Sequence, residues 1–366
     1  MLHYTRIESL NKAIKENHYT DLIISNPTTI AYLTTYQNYD PGERLFILHL
    51  NEKGHITLYL NRLFPEPSSL AIDCNIIWYR DGENIFEEMV KHLNNNGKIG
   101  VDKDWPSHFL LSLMEQMPHA QFKNGSPLSD RLRSIKSNEE QEMMAEASRL
   151  NDHAMEYLIQ LVAKGLPETE MVALLKQKYQ ELNCDGFSFE PIIAYGPNGA
   201  DPHHTTNNDQ PKIGDSVVID IGSFYQGYAS DMTRTVFYGE PSKKAREIYE
   251  LVKKANLAAI NQVRPGVTFA SIDQAARKVI EEAGYGQYFT HRTGHSIGIE
   301  VHEPGDVGAF NQDIVEVGNV FSIEPGIYLP GELGVRIEDL VIVTEEGCRV
   351  INNVTKDLIS CQPSLA

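Results

Sequence analysis

Two segments of this 366-residue chain set acidic residues inside apolar β-forming runs, and few folds tolerate that. The first reads VVIDIGSFYQGYASDMTRTVF over 217–237. Val217 to Gly222 predicts one strand, 224–227 a turn, and Tyr228 to Phe237 the return strand. A turn centred between Tyr225 and Gln226 puts Asp220 directly opposite Asp231. Cross-strand neighbours have Cβ atoms about 4.5–5.5 Å apart, and like charges there are destabilising. The second segment, VFSIEPGIYLPGELGVRIEDLVIV over 320–343, repeats the arrangement. Glu324 and Glu338 are symmetric about Gly331, so a hairpin centred there pairs two glutamates. Unpaired charges among Val, Ile and Phe are costly to bury. One carboxyl can be protonated, the register can differ, or a cation can lie between the acids. Because two such pairs occur, four carboxylates converging on bound metal is the better explanation.

A histidine would complete such a set. The stretch HRTGHSIGIEVHEP over 291–304 holds His291, His295 and His302, with Gly294 and Gly298 among them. Carboxylates with one imidazole suit hard to borderline divalent ions such as Mn, Co, Zn or Fe. Four carboxylates and a histidine exceed the needs of a single zinc and fit two ions sharing bridging carboxylates. Paired ions clamp attacking and leaving oxygens and lower the pKa of water between them. From the residues alone, the expectation is a dinuclear metallohydrolase.

The surrounding chain predicts where these hairpins sit. Ile7, Leu10 and Ile14 share one helical face. The runs at 45–50 and 55–60 flank Asn51-Glu52-Lys53-Gly54 and predict a hairpin. NIIWY at 75–79 and KIGVD at 98–102 predict further strands, with a helical segment between them. This α/β domain is expected to span 1–125, and the loop-like composition of NGSPLSD at 124–130 opens a linker over 126–136. Ser137 and Glu140 stand at capping-box spacing at the head of the next helix, and the second domain spans 137–366. Within it, a helix ending near Gly165 and a second ending before Gly186 precede the first hairpin. Helices over 242–263 and 268–283, stopped at Pro265-Gly266 and Gly284, precede the second. The order predicts a helix–helix–sheet unit used twice, with a site between the halves.

Composition narrows the partners. Lys and Arg number 32 against 50 Asp and Glu, a formal charge of −18. That balance argues against nucleic acid or an anionic membrane as a partner, because phosphate binding needs clustered positive charge. Four scattered cysteines without a CxxC pair argue against a disulfide framework or a thiolate zinc site. No apolar run reaches the roughly 18 residues of a membrane span, and the polar N-terminus lacks a signal-peptide core. The expectation is a soluble, cytoplasmic protein.

Asp220, Asp231, GH at 294–295, SIEPG at 322–326 and VRIED at 335–339 together resemble the metallopeptidases of the pita-bread fold, the family of methionine aminopeptidase, aminopeptidase P and prolidase. The resemblance covers 130–366. It implies an α+β, pita-bread catalytic domain with a pseudo-twofold repeat, preceded by a smaller α/β creatinase-like N-terminal domain. PHH at 202–204, HRTGH at 291–295, VHE at 301–303 and Arg336 look most like the Xaa-Pro branch, as does the N-terminal domain. YDPGERLF at 39–46, GYASDMTRTVFYGEP at 227–241 and EPGIYLPG at 324–331 are similar to stretches of short bacterial Xaa-Pro dipeptidases. Ser296 departs from the more usual GHGIG.

The resemblance implies five metal ligands: Asp220, Asp231, His295, Glu324 and Glu338. Asp231 and Glu338 would bridge two divalent ions, manganese first, with Co, Zn or Fe as the other candidates. An activated water would attack the carbonyl before proline. Glu324 would carry the proton to the leaving nitrogen, and His302 would hydrogen-bond the developing gem-diolate. His203 and His291 would contact substrate on either side, and Arg336 would hold a carboxylate. The substrates implied are proline-containing dipeptides, and relatives imply a homodimer. A Xaa-Pro aminopeptidase acting on longer peptides shares all five ligands. A peptide-binding module that has lost its chemistry, or metal-free hydrolysis, would lack some of them. Plainer readings exist for single residues. His203 and His204 suit a loop, Arg336 an ion pair, and Tyr225 and Tyr228 hairpin packing. Asp40, Glu43 and Arg44 fall in a loop of the first domain, a domain that in relatives helps to close the site.

Overall fold

A computed structural model describes residues 2–38, 40–67, 70 and 73–364. Tyr39, which opens the 39–46 motif, lies outside them. Two compact units divide the chain, Met1–Arg133 and Ser134–Ala366.

In the first unit one six-stranded mixed sheet carries the core. Its strands, in spatial order, are Asn75–Tyr79, Ile56–Asn61, Ile47–Asn51, Asp21–Ile24, Lys98–Val101 and Gln121–Asn124. The expected hairpin is there, with Leu50 facing Ile56. Helix Leu2–Glu16 buries Ile7, Leu10 and Ile14, the stripe its periodicity predicts. The loop expected from NGSPLSD is instead helical over Ser126–Ser134. Asn124 Oδ1 accepts from the Ser126 N–H at 3.0 Å, and Pro127 tolerates the first turn because its missing N–H would have no partner there. Polar, proline-containing composition marks a helix start here, where it suggested a linker. Arg44 forms a bidentate pair with Asp81 at 3.0 and 2.8 Å, and Asp40 Oδ1 accepts from the Gly42 N–H.

The second unit holds two similar halves. Helix Asn138–Val162 starts at a complete capping box, Ser137 with Glu140, which Tyr228 Oη reinforces at 3.0 Å. With helix Glu168–Glu181 it packs Leu158, Leu175 and Tyr179 on Ile193, Val217, Ile219 and Val236. That sheet has the order Ser360–Cys361, Met232–Tyr238, Ser216–Ile221, Ile192–Tyr195. Helices Lys243–Gln262 and Phe269–Glu282, capped by Ser242 and Thr268, pack Ile248, Val252 and Ile272 on Phe321, Ile323 and Val341. The sheet beneath them runs Glu303–Val307, Gly294–Ser296, Val320–Ile323, Asp339–Val343, Cys348–Val350. Each fully buried aliphatic side chain contributes about 1.5–3 kcal/mol, so each half has its own core beneath its own hairpin. Among the described residues no helix is long and apolar enough to cross a membrane.

Candidate functional site

The glutamate hairpin has the register expected from its symmetry. Val320 faces Ile342 and Ile323 faces Asp339 on one side of the acids. Gly326 faces Arg336 and Leu329 faces Leu333 on the other. Glu324 and Glu338 occupy the matched positions between these two ladders, and Gly331 turns the hairpin at φ 74°.

The aspartate hairpin differs by two residues. Tyr225 faces Tyr228 and Met232 faces Ile221, so Asp220 lies opposite Thr233 rather than Asp231. Gln226 and Gly227 both have positive φ, 50° and 80°, the signature of a two-residue type I′ turn. That turn fixes the centre between Gln226 and Gly227. Because side chains alternate with period two, a shift of two keeps both aspartates on one face.

The two hairpins meet along the strands bearing Thr233 and Arg336. The Glu338 N–H donates to the Thr233 carbonyl at 3.0 Å. Thr233 Oγ1 donates to Glu338 Oε2 at 2.8 Å. Arg336 Nη2 donates to Asp220 Oδ2 at 2.6 Å and Nε to Thr233 Oγ1 at 3.1 Å. Beneath them the buried Arg234 donates to Asp339 at 2.7 Å and to backbone carbonyls of Thr233, Glu338 and Val354. His295 joins from the neighbouring strand. A Cβ at Gly294 would collide with the Ser322 carbonyl oxygen, so glycine allows that strand its close approach. His295 Nε2 lies 3.6 Å from Asp231 Oδ2 and 3.5 Å from Glu324 Oε1.

All five predicted ligands line one cavity of about 610 Å³, together with His203, His291, His302 and Arg336. Phe189, Ile192, Val301 and Phe310 give it an apolar wall. Asp231, His295 and Glu338 each offer a ligand atom within 4.8 Å of the others. His302 stands edge-on to His295, ring centroids 4.2 Å apart. His291 Nε2 contacts Tyr328 Oη at 2.8 Å, and Arg336 Nη1 donates to the same hydroxyl at 3.0 Å. His203 is exposed, whereas His204 turns away to the buried Glu168 at 2.8 Å.

Electrostatics set the character of the cluster. Burial, then Glu338 and the other acids, pushes the Asp231 carboxyl well above its usual range. Burial followed by Glu324 and Asp220 does the same for Glu338. Burial, with Asp220 adding to it against the opposing Arg336, raises Glu324 to about 7. Burial and the neighbouring His302 lower His295 to about 3, so its imidazole is neutral and available as a ligand. Asp220 Oδ1 and Glu338 Oε1 are buried without a hydrogen-bond partner. Buried polar atoms are almost always satisfied, and an ion is one accepted reason for an exception. Carboxylate oxygens and one imidazole fit a hard to borderline divalent cation.

Sequence reasoning missed Tyr328, Thr233 and Ser322, whose hydroxyl donates to Glu324 Oε1 at 3.3 Å. Strand parity held a signal for two of them. Tyr328 stands two residues beyond Gly326, which pairs with Arg336, and Thr233 stands two residues beyond Asp231.

Residues 142–345 match the model of metallopeptidase family M24, and residues 6–135 match the creatinase/prolidase N-terminal domain. An uncharacterized peptidase of Staphylococcus aureus (strain USA300) is 35% identical over 338 residues, 91% of this chain and 94% of that protein. The solved dipeptidase of Pyrococcus horikoshii OT3 is 35% identical with a TM-score of 0.90, covering 97% of this chain and 99% of its own. The prolidase of Thermococcus sibiricus is 33% identical with a TM-score of 0.92, covering 98% and 99%. With two abutting carboxylate hairpins joined by a neutral histidine, and with these matches along nearly its whole length, the chain belongs to metallopeptidase family M24, in the two-domain form that carries a creatinase-like N-terminal domain.

Proposed function

We propose that the protein hydrolyses the peptide bond preceding proline, with Xaa-Pro dipeptides as its main substrates, and that residues 137–366 carry the reaction. The observation that carries this is the pair of buried, unsatisfied oxygens, Asp220 Oδ1 and Glu338 Oε1, in the cavity of the other three ligands. Asp220, Asp231, His295, Glu324 and Glu338 fit two divalent ions, manganese first; such ions activate water near neutral pH and polarise a carbonyl. Glu324 takes the proton from water and delivers it to the leaving nitrogen. His302 hydrogen-bonds the oxygen that gains charge at the tetrahedral carbon. His203 and His291 hold the substrate on either side.

Arg336 has five N–H donors. Thr233, Tyr328, Pro202 and Asp220 take four of them. The remaining Nη2–H is left for a substrate carboxylate. Proline has no N–H and a fixed φ, so a cavity with an apolar wall can select it without offering a backbone acceptor. The likeness to a prolidase and a dipeptidase supports this reading.

The test is metal analysis with paired substrates. EDTA treatment should abolish cleavage of a Xaa-Pro dipeptide, and Mn or Co should restore it. Activity that survives prolonged chelation would refute the metal reading. Cleavage of a Xaa-Pro-Pro tripeptide in preference to the dipeptide would make the protein a Xaa-Pro aminopeptidase instead. The same reading takes it as a cytoplasmic homodimer, which sedimentation and cell fractionation test.

A further inference from the structure

A buried ion pair lies beside the cavity and is used by none of the steps above. Lys136 Nζ meets Glu303 Oε2 at 2.9 Å, each side chain only 2% exposed, across 167 residues of sequence. The other carboxylate oxygen, Oε1, accepts the N–H groups of Ile299 and Glu300 at 3.1 and 3.4 Å. The turn closes further through the Gly298 N–H to the Glu300 carbonyl at 3.0 Å. A Cβ at Gly298 would stand 2.7 Å from the Glu303 carboxylate, so the carboxylate occupies the space a side chain there would need. Lys136 is fixed in turn: its N–H donates to the Gly318 carbonyl at 2.8 Å and its carbonyl accepts from Gln141 at 2.9 Å.

This turn carries Val301 and His302 into the cavity. His302 is itself exposed, so the backbone beneath it, more than packing around its ring, must set its direction. His302 is the last residue of the turn, and Glu303 opens the strand that follows. Glu303 pairs with Ser296 across the ladder, which fixes it relative to His295. Anchoring Glu303 under the turn therefore fixes the backbone directly after His302, whose ring stands beside that of His295.

We propose that Glu303, with its charge balanced by Lys136, is a positioning residue that aims His302 at the reacting carbonyl; this rests on the role given to His302 above. One carboxylate oxygen, Oε1, accepts the two N–H groups that shape the turn, and the other faces the lysine. The lysine makes its burial tolerable, since a buried charge without its partner is strongly destabilising.

The test is a double-mutant cycle in the full-length, metal-loaded protein, with kcat, KM and bound metal measured together. E303A should lower kcat by about 10²-fold, the scale of a lost positioned catalytic group, with KM and metal content nearly unchanged. E303A/H302A should be no slower than H302A, because the two substitutions remove one effect. K136M/E303Q keeps an acceptor for Ile299 and Glu300 without burying charge. It should hold kcat within about fivefold of the parent. If E303A does not fold, K136M/E303M, which removes the acceptor without leaving a buried charge, takes its place in the cycle with H302A and should show the same loss of kcat. Losses that add between E303A and H302A, or a K136M/E303Q kcat as low as that of E303A, would overturn this proposal alone. An H302A variant with parental kcat would overturn the reading of His302 and this proposal with it.

Discussion

The metal-free protein should be made more stable by removing one of its own acids. The Glu324 carboxyl is pushed up from 4.5 to about 7, chiefly because it is buried, with Arg336 opposing and Asp220 adding to the effect. Each tenfold change is worth about 1.4 kcal/mol, so ionised Glu324 costs the empty fold roughly 3 kcal/mol. The sign follows from linkage. An acid raised in the fold holds its proton there after the unfolded chain has released it. The penalty is absent below 4.5, grows between 4.5 and 7, and is complete above 7. Glu324→Gln keeps the shape and removes the charge. In EDTA-stripped protein at pH 8 it should gain about 3 kcal/mol, and at pH 5 less than about 1 kcal/mol. Urea denaturation at both pH values, followed by hydrogen exchange of the hairpin amides, measures the difference. The protein's two tryptophans, Trp78 and Trp105, both lie in the first unit, so the hairpin amides are the probe that reports on the cluster itself. A variant no more stable than the parent at pH 8, or equally stabilised at pH 5, would refute the electrostatic account of the cluster.

Other outcomes follow from the same structure. Asp231→Ala should abolish metal binding and hydrolysis while circular dichroism stays close to parental; an active variant would refute the two-ion assignment. Arg234→Met leaves Asp339 with Lys356 as its remaining cation and should cost about 3–5 kcal/mol in urea denaturation, the range for breaking a buried pair. Ser137→Ala removes the capping-box acceptor and should cost about 1 kcal/mol, without changing kcat.

The sequence carried the glutamate hairpin in full, because Gly331 marks its centre and the flanking strands are long and apolar. The aspartate hairpin was legible as a hairpin but not in register. Gln226-Gly227 lacks the Asn or Asp that usually announces a type I′ turn, so the sequence points to a centre one position early. Both aspartates still reach the cavity because strand geometry forgives a shift of two. Helix Ser126–Ser134 was hidden by polar composition that suits a loop and a helix start equally. Arg336 was legible as a site residue, but its hold on Asp220 spans 116 residues, and no local pattern reports such a pairing. Lys136 with Glu303 was invisible for the same reason.

The joint between the hairpins also bears on how the protein matures. Thr233 and Glu338 clasp across 105 residues, and the two aspartates enter the chain well before the glutamates. A growing polypeptide therefore has no complete nest for an ion until its second half has been made and has docked on the first. With the ligands proposed above, capture of a cation would then come late and reward only chains that have assembled both halves.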